Sequence, residues 1–329
     1  MATILGIEST AHTFGVAVVR EGKVLSNCKR SYTTSEGGII PMKAAEHHKE
    51  FADEIYREAI EKSDISEEDI DAVAFSQGPG LSPCLIQGIG FAKKISGKIS
   101  KPLVPVNHCI AHLEIGRVTG AKDPVMLYVS GANTQVIAYA SNKFRVFGET
   151  LDVGVGNFID TFARYAGLGF PGGPKIEELA KDGKEYIEIP YKVKGMDIAL
   201  SGILTNLRQK LESGKFKLED LSYSMQETVF AMLVETAERA MAHTGKKELL
   251  LGGGVACNKR LQEMCKIMCE ERGAKMFCPE NSLLTDNAAM IAFLGEIIFD
   301  SGTSFSGSEA QELDIAPRQR TDDVEVTWR

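Results

Sequence analysis

The first thirty residues alternate between apolar runs and small polar turns. A turn containing Ser9 and Thr10 separates the runs "ATILGIE" and "FGVAVVR", and Glu21-Gly22 then leads into "KVLSN". Short apolar runs joined by tight turns are typical of antiparallel strands. The chain therefore opens with a predicted β-meander of three strands.

The next segments alternate between helix-like and strand-like patterns. The segments "FADEIYREAIEKS" and "LSPCLIQGIGFAKKIS" space their apolar residues as helices do, whereas "DAVAFSQG" and "KPLVPVN" are short apolar runs. This alternation predicts an α/β fold. It also places His108 at the C-terminal end of a strand, where open α/β sheets carry their ligand sites.

A second copy of the opening pattern begins at Val125. "VMLYVSGANTQVIAYASNKFRVFGET" is again apolar run, small turn, apolar run, turn and run, with the first turn at Ser130–Asn133. Further on, "KELLLGGGVACNKRLQEMC" predicts a strand and a helix joined by Gly252, Gly253 and Gly254, here called the glycine turn. Three glycines let the backbone approach a ligand closely. The repetition predicts a duplicated architecture.

The length of 329 residues also exceeds what one hydrophobic core usually supports. We expect a first domain at 1–124, with 300–329 as a candidate addition to it, and a second at 125–299 with an inserted helical segment at about 174–225. Two turn-containing meanders and a late glycine turn resemble the actin, sugar kinase and Hsp70 superfamily. That resemblance implies a duplicated two-domain α/β fold with a central nucleotide and metal cleft.

Composition limits the ways in which the chain could bind other molecules. Its net charge of −8 and pI near 5.4 argue against general electrostatic binding of nucleic acid, so such binding would need a local patch or a partner. Seven cysteines without a C-x-x-C pair favour reduced thiols. Neither a leader-like segment nor an apolar run of membrane-spanning length is present, which predicts a cytoplasmic protein.

Two further expectations concern less regular segments. The adjacent histidines His47 and His48 cannot share one helix face, and we interpret them as loop or surface residues. The tail from Ser301 to Arg329 is polar and is expected to lack fixed structure in part, apart from "LDIAPR".

The stretch "VNHCIAHLE" contains the most specific chemical signal. His108 and His112 are four residues apart, which places both imidazoles on one face of a helix. Two such imidazoles form half of a transition-metal site. The alternative is that one histidine caps the helix while the other packs, and the spacing alone leaves both possibilities open.

Nine motifs in order identify a family. They are "GIEST", "GPGLSPCLIQGIGFAKKIS", "VNHCIAHLE", "YVSGANTQ", "GETLDVGVGNFIDTFAR", "PGGPKIEELA", "ALSGILTNL", "GGGVACNKRL" and "TDNAAMIAFLG". Through them, the chain from Ile4 to about Gly295 resembles the universal family that makes threonylcarbamoyladenosine in tRNA. More narrowly it resembles the archaeal and eukaryotic catalytic subunit of the KEOPS complex, formerly described as an O-sialoglycoprotein endopeptidase. "SGANTQ", which lacks the second Gly and the His of the bacterial branch, favours the archaeal and eukaryotic branch.

The resemblance implies one transition metal per chain, iron by preference and zinc as the alternative. Its ligands would be His108, His112, Tyr128 and Asp286, and such mixed nitrogen and oxygen donors suit either metal. Without the resemblance, Tyr128 would be interpreted as a core aromatic residue. Asp286 would be interpreted as the cap of the following helix.

The resemblance also implies an adenylate or ATP-type nucleotide between the domains. The phosphate and carbamoyl contacts would come from Tyr128, Val129, Ser130, Gly131 and Ala132. The ribose-side contacts would come from Asp160, Gly173 and Glu177, and the adenine contact from Asn258. Glu8 matches an acid of the first turn and could position a water or the substrate amine, but its role is left undecided.

The implied reaction transfers a threonylcarbamoyl group from its adenylate to the exocyclic amine of the adenosine beside the anticodon. An ATP-dependent kinase or ATPase of the same fold should carry aspartates in its turns, where this chain has Glu8 and Ser130. A metalloprotease should have H-E-x-x-H, but Cys109 occupies the glutamate position. A non-catalytic, chaperone-like module would leave the metal ligands without a purpose.

The implied partners are tRNA, a small protein kinase, a small dimerising subunit and a regulator bound to the kinase, without a membrane. The lysines that could contact tRNA locally are Lys93, Lys94, Lys98 and Lys101, with a second group at Lys192 and Lys194. Solvated helix faces are the common alternative for such runs. An acidic chain would otherwise depend on positive charge from its partners.

Overall fold

The computed structural model describes residues 2–34 and 38–329, which form two five-stranded sheets with helices packed against them. The strands of the first sheet are β1 (Thr3–Glu8), β2 (Thr13–Arg20), β3 (Lys23–Ser31), β4 (Ala72–Gly78) and β5 (Leu103–Asn107). Their order is β3-β2-β1-β4-β5, in which β1 is antiparallel to β2 and parallel to β4. The predicted β-meander is therefore confirmed.

The second sheet repeats this topology. Its strands are β6 (Val125–Val129), β7 (Thr134–Ala140), β8 (Lys143–Glu149), β11 (Glu248–Gly252) and β12 (Lys275–Phe277). Their order is β12-β11-β6-β7-β8, with β6 antiparallel to β7 and parallel to β11. Three antiparallel strands followed by two parallel ones in both sheets confirm the duplicated, actin-like α/β architecture.

Eleven α-helices connect or cover the sheets in the described ranges. The first three are α1 (Pro41–Ser63), α2 (Ser82–Ile99) and α3 (His108–Glu114). Those that follow are α4 (Val155–Tyr165), α5 (Gly173–Lys181), α6 (Ser201–Glu212), α7 (Leu218–Thr244), α8 (Lys259–Glu271), α9 (Asn281–Leu284), α10 (Ala288–Asp300) and α11 (Gly307–Glu312). A short hairpin, β9 (Val193–Lys194) and β10 (Asp197–Ile198), lies between α5 and α6. In the part of the chain that the structure describes, no helix is long and apolar enough to cross a membrane.

Helix α10 follows the second sheet in sequence but packs on the first. Its backbone approaches β1 so closely that a Cβ on Gly6 would lie 2.5 Å from the amide nitrogen of Ala292. Helix α10 approaches the neighbouring strand β4 just as closely, because a Cβ on Gly295 of the helix would lie 2.4 Å from the Cβ of Ala74 on β4. The apolar side chains of α10 and α3 form one buried cluster with residues of both sheets, including Tyr128. This shared core joins the two halves.

The tail and His48 differ from the sequence-based expectations. Phe305 forms an antiparallel bridge with Leu103, and the terminal Arg329 donates a 2.9 Å hydrogen bond to the buried Glu114, so the polar tail is ordered by contacts with distant residues. His47 and His48 both lie inside α1 and not in a loop; His47 is half-buried and His48 is buried. The expectation of a loop or surface residue was wrong because the ring of His48 packs beneath the first β-turn, 3.1 Å from the carbonyl oxygen of Ala11.

Candidate metal and nucleotide site

The two histidines of the "HCIAH" motif lie on one face of α3. The helix starts directly after β5, and the side chain of Asn107 caps it by accepting a hydrogen bond from the backbone N–H of Ile110. His108 is therefore the first residue of the helix and His112 follows one turn later. Their ring centroids are 4.8 Å apart, and both residues are buried.

Asp286 completes a compact group of three metal-ligating side chains. Its Oδ1 lies 3.5 Å from the Nε2 of His108 and 3.5 Å from the Nε2 of His112. The potential ligand atoms of all three residues lie within 4.8 Å of one another. Asn287, not Asp286, caps α10, since its side chain accepts the N–H of Met290. The capping alternative for Asp286 is therefore wrong.

The histidine nitrogens show that this donor set fits a metal ion. Neither ring nitrogen of the buried His112 has a hydrogen-bond partner within the described residues, and a buried polar atom without a partner is destabilising. Burial lowers the pKa of His112 below its ordinary value, which favours the neutral imidazole that binds metals. Burial opposes ionisation of Asp286, but its contacts with both histidines hold its pKa well below the ordinary value.

Tyr128 lies beside this group at the end of β6. Its ring centroid is 5.0 Å from that of His112, and the side chain is 1% exposed. Burial raises the pKa of Tyr128 well above its ordinary value, so binding as a phenolate would require a cation to displace the proton. The next residues of the chain form the Ser130–Asn133 turn.

Glu8 is buried and orients His108. Its Oε2 lies 3.0 Å from the Nδ1 of His108, while its Oε1 accepts hydrogen bonds from the N–H and the hydroxyl of Thr10, at 2.7 and 2.6 Å. Burial alone would lower the pKa of His108, but the charge of Glu8 and contacts with Asp286 raise it. A carboxylate on one imidazole nitrogen leaves the other nitrogen directed at a metal. Thr10 was not identified from the sequence.

Glycines from two other segments support the Ser130–Asn133 turn. The N–H of Ser130 donates to the carbonyl of Asn133, and a Cβ on Gly156 would lie 2.7 Å from the Cα of Gly131. Gly253 has a φ of +89°, and a Cβ there would lie 2.4 Å from the carbonyl oxygen of Val129. Gly156 allows α4, and Gly253 allows the glycine turn, to pack closely against the Ser130–Asn133 turn and the residue before it. Among the described residues, no hydrogen bond uses the N–H of Gly131 or Ala132.

The residues expected to contact ribose and adenine lie around the starts of α5 and α8. Asp160 accepts the N–H of Gly172, just before α5 begins at Gly173, and burial raises the pKa of this carboxyl. Glu177 accepts the N–H of Lys259 at 2.8 Å. Asn258 caps α8 and donates to the side chain of Gln226 at 2.6 Å. Asp160, Glu177 and Asn258 therefore each form a hydrogen bond within the protein, and the contacts of Glu177 and Asn258 lie at the start of α8, shortly after the glycine turn.

Lys29 is a charged residue of the site that sequence reasoning missed. Its Nζ donates to the hydroxyl of Thr285 at 2.6 Å and to the backbone carbonyl of Asp286 at 2.9 Å. Burial lowers the pKa of this ammonium, while the nearby carboxylate of Asp286 opposes the shift. A single lysine in an alternating strand gives no local signal of such a role.

Three of the lysines suggested for tRNA binding have partners within the chain. Lys93 donates to the carbonyls of Gln311 and Leu313 in the tail, at 2.7 and 2.8 Å. Exposed ion pairs join Lys94 to Asp53 and Lys98 to Glu67. The remaining candidates carry no such ion pair within the described ranges, and of these Lys192 and Lys194 are exposed whereas Lys101 is half-buried.

Known proteins resemble this chain over nearly its whole length. A relative from Thermococcus kodakarensis, named tRNA N6-adenosine threonylcarbamoyltransferase, is 54% identical over 98% of this chain and 99% of its own. A protein of the same name from Xenopus laevis is 48% identical over the full length of both. A Methanosarcina mazei protein, named probable bifunctional tRNA threonylcarbamoyladenosine biosynthesis protein, is 50% identical over 99% of this chain and 59% of its own length.

Solved structures show the same fold at low sequence identity. The crystal structure of HypF from T. kodakarensis matches 91% of this chain and 48% of its own, with a TM-score of 0.64 at 15% identity. The model of the family described as TsaD, tRNA N6-adenosine threonylcarbamoyltransferase, matches residues 23–293. With that match and relatives about half identical along the chain, this protein belongs to the tRNA N6-adenosine threonylcarbamoyltransferase family.

Proposed function

We propose that this protein transfers the threonylcarbamoyl group from threonylcarbamoyl adenylate to the exocyclic amine of the adenosine beside the anticodon of tRNA. The main observation behind this proposal is that Tyr128 packs against His112 and that, after one intervening residue in the chain, the Ser130–Asn133 turn begins. A candidate metal group and a candidate phosphate turn are thereby contiguous. Family membership supports the same reaction.

One metal ion, iron in the first place and zinc as the alternative, would be held by the group of His108, His112 and Asp286. Tyr128, which packs against His112, would be the fourth ligand. A bound ion of this kind supplies Lewis acidity at the carbamoyl or phosphate oxygens. Glu8 holds the Nδ1 side of His108 and so keeps its Nε2 directed at Asp286. In this proposal Glu8 positions a ligand and does not act as a base.

In the reaction, the adenosine amine forms a bond to the carbamoyl carbon. The bond from that carbon to the phosphate oxygen breaks, AMP leaves, and the amine proton is released to solvent. The N–H groups of Gly131 and Ala132, which no other described residue accepts, would donate hydrogen bonds to the phosphate as its charge develops. Asp160, Gly173 and Glu177 would contact the ribose side of the nucleoside, and Asn258 would contact the adenine.

The alternatives receive less support from the contacts. A kinase or ATPase would need a free acid in the first turn, but Thr10 and His108 occupy both oxygens of Glu8. The buried Cys109 cannot replace the general base of a zinc protease, since burial raises the pKa of its thiol.

The same proposal includes the protein's assembly partners and its location in the cell. We expect a cytoplasmic protein that acts in a KEOPS-type assembly with a small kinase, a small dimerising subunit and a kinase-bound regulator. Lys94 and Lys98 are paired with acidic side chains, and the net charge of the chain is −8. The isolated protein should therefore bind tRNA weakly, and this binding should depend strongly on salt concentration. Partners should tighten that binding.

Metal analysis tests the site. Replacing both His108 and His112 with alanine should remove the metal from purified protein while leaving the circular dichroism spectrum unchanged. His243→Ala, on the exposed side of α7, is the matched control and should retain the metal. Full metal occupancy in the double variant would contradict the site assignment.

Reconstitution tests the reaction. The assay combines the chain and its partners with radiolabelled threonine, bicarbonate, ATP, unmodified tRNA and the separate enzyme that makes the adenylate. We expect label in tRNA that depends on this chain. Absence of label with every partner present, together with peptide-bond cleavage, would overturn the transferase proposal in favour of a protease.

A further inference from the structure

Lys29 connects the edge of the first sheet to the segment that carries Asp286. The lysine lies on β3, and its Nζ reaches Thr285 Oγ1 and the backbone oxygen of Asp286, more than 250 residues away in sequence. Its partner position on β2 is Gly15, where a Cβ would lie 3.4 Å from the Cβ of Ala288. The side chain therefore runs toward the start of α10, and two hydrogen bonds fix its ammonium.

The ammonium is held only by neutral acceptors. Among the residues that the structure describes, Lys29 forms no ion pair with a carboxylate, although it is partly buried. The next residue on the strand, Arg30, shows the usual arrangement, because it pairs with Glu54 and Glu58 on the outer surface. An ammonium has three N–H donors, and two are used here. Although the carboxylate of Asp286 is nearby, it forms no ion pair with Lys29. A partly buried ammonium with one N–H donor unused and no directly paired carboxylate is suited to binding an anion.

This ammonium lies between the metal-ligand group and the glycine turn. On one side, the side chain of Asp286 approaches His108 and His112. On the other, the methyl group of Thr285 lies 4.0 Å from the position of a Cβ on Gly254. The charge of Lys29 therefore lies close to the region that the proposed function assigns to the adenylate.

We propose that Lys29 is a cationic contact for an anionic group, a phosphate or a carboxylate, of the adenylate substrate. The inference rests on the proposed function, because threonylcarbamoyl adenylate carries both groups. Lys29 binds substrate in this proposal and transfers no proton. Its two neutral hydrogen bonds fix the ammonium before the substrate arrives, which reduces the entropy lost on binding.

Calorimetric titration of purified chain with AMP, adenosine and a non-hydrolysable threonylcarbamoyl adenylate analogue tests the inference. Lys29→Met should weaken binding of an anionic ligand roughly 10- to 100-fold, as expected for loss of a hydrogen bond between charged groups. Adenosine, which has no anionic group, should bind to the wild-type protein and to Lys29→Met with equal affinity. Weaker binding of AMP and of the analogue would identify the phosphate, and weaker binding of the analogue alone would identify the carboxylate.

Two further variants separate charge from shape. Lys29→Arg keeps the charge and should retain most of the affinity, whereas Arg30→Met removes a neighbouring charge on the outer surface and should change nothing. Equal affinities of wild type and Lys29→Met for every ligand, or equal weakening of adenosine and AMP, would overturn the role of Lys29 alone. A wild-type chain that binds none of the three ligands would instead overturn the proposed nucleotide site, and this inference with it.

Discussion

Replacing His48 with glutamine should remove a large part of the acid sensitivity of folding. The Nε2 of His48 lies 3.1 Å from the carbonyl oxygen of Ala11, so this nitrogen carries the hydrogen and Nδ1 is the basic one. Nδ1 is buried and lacks a partner within the described ranges. Burial, followed by the nearby His47, lowers the pKa of His48 from 6.5 to about 4.

The magnitude follows from the two pKa values. Because the folded-state value is the lower one, the unfolded chain binds the proton more tightly between pH 6.5 and pH 4. Stability from this group is therefore complete above pH 6.5 and falls as the pH is lowered through that window. Each unit of difference is worth about 1.4 kcal/mol, so the full loss approaches about 3 kcal/mol, of which about 2 kcal/mol is lost by pH 5.

The assay is urea unfolding, followed by circular dichroism, at pH 7.5 and pH 5.0 and constant ionic strength. Wild type should lose about 2 kcal/mol more than His48→Gln between the two pH values. Ile55→Val, in the same helix and fully buried, should lower stability by about 1 kcal/mol at both pH values, which controls for packing. An equal pH dependence in wild type and His48→Gln would refute the reasoning.

Close glycine contacts give two further predictions. Gly253→Ala should weaken AMP binding and lower the thermal midpoint, because the φ of Gly253 is +89° and a Cβ there would lie 2.4 Å from the Val129 carbonyl oxygen. Gly254→Ala is the control, since a Cβ at that position would have its nearest neighbour at 4.0 Å. Equal effects of the two substitutions would contradict this account. Gly6→Ala should destabilise the chain by roughly 3 kcal/mol, because α10 would have to move away from β1, and a thermal midpoint unchanged from wild type would show that this contact is not tight.

The sequence predicts the sheets well because their signals are local. Strands of the two meanders follow from short apolar runs and turns, and the repeated order follows from the repeated pattern. The helix of the "HCIAH" motif follows from the strand before it and from its spacing. For the metal-ligand group, however, spacing indicated only the histidine pair, and Asp286 and Tyr128 entered through the family resemblance.

The remaining features depend on contacts between residues far apart in the chain. The end of the tail is held by the contact of Arg329 with the buried Glu114. The contact of Lys29 with Thr285 joins the edge of the first sheet to the start of α10. His48 illustrates a different error. Adjacent histidines do point in different directions from a helix, but this says only that one of them can face the core, and His48 does so.

The path of α10 explains why the candidate metal-ligand group lies where the two halves meet. His108 and His112 belong to the helix that follows the last strand of the first sheet, whereas Tyr128 is the penultimate residue of the central strand of the second. Asp286 comes after the second sheet, but it directly precedes a helix that packs on β1. A metal bound by all four residues would therefore crosslink both halves, beside the turn assigned to the phosphate. Any motion between the halves would change the metal geometry and the phosphate turn together, so metal binding and adenylate binding should be thermodynamically coupled.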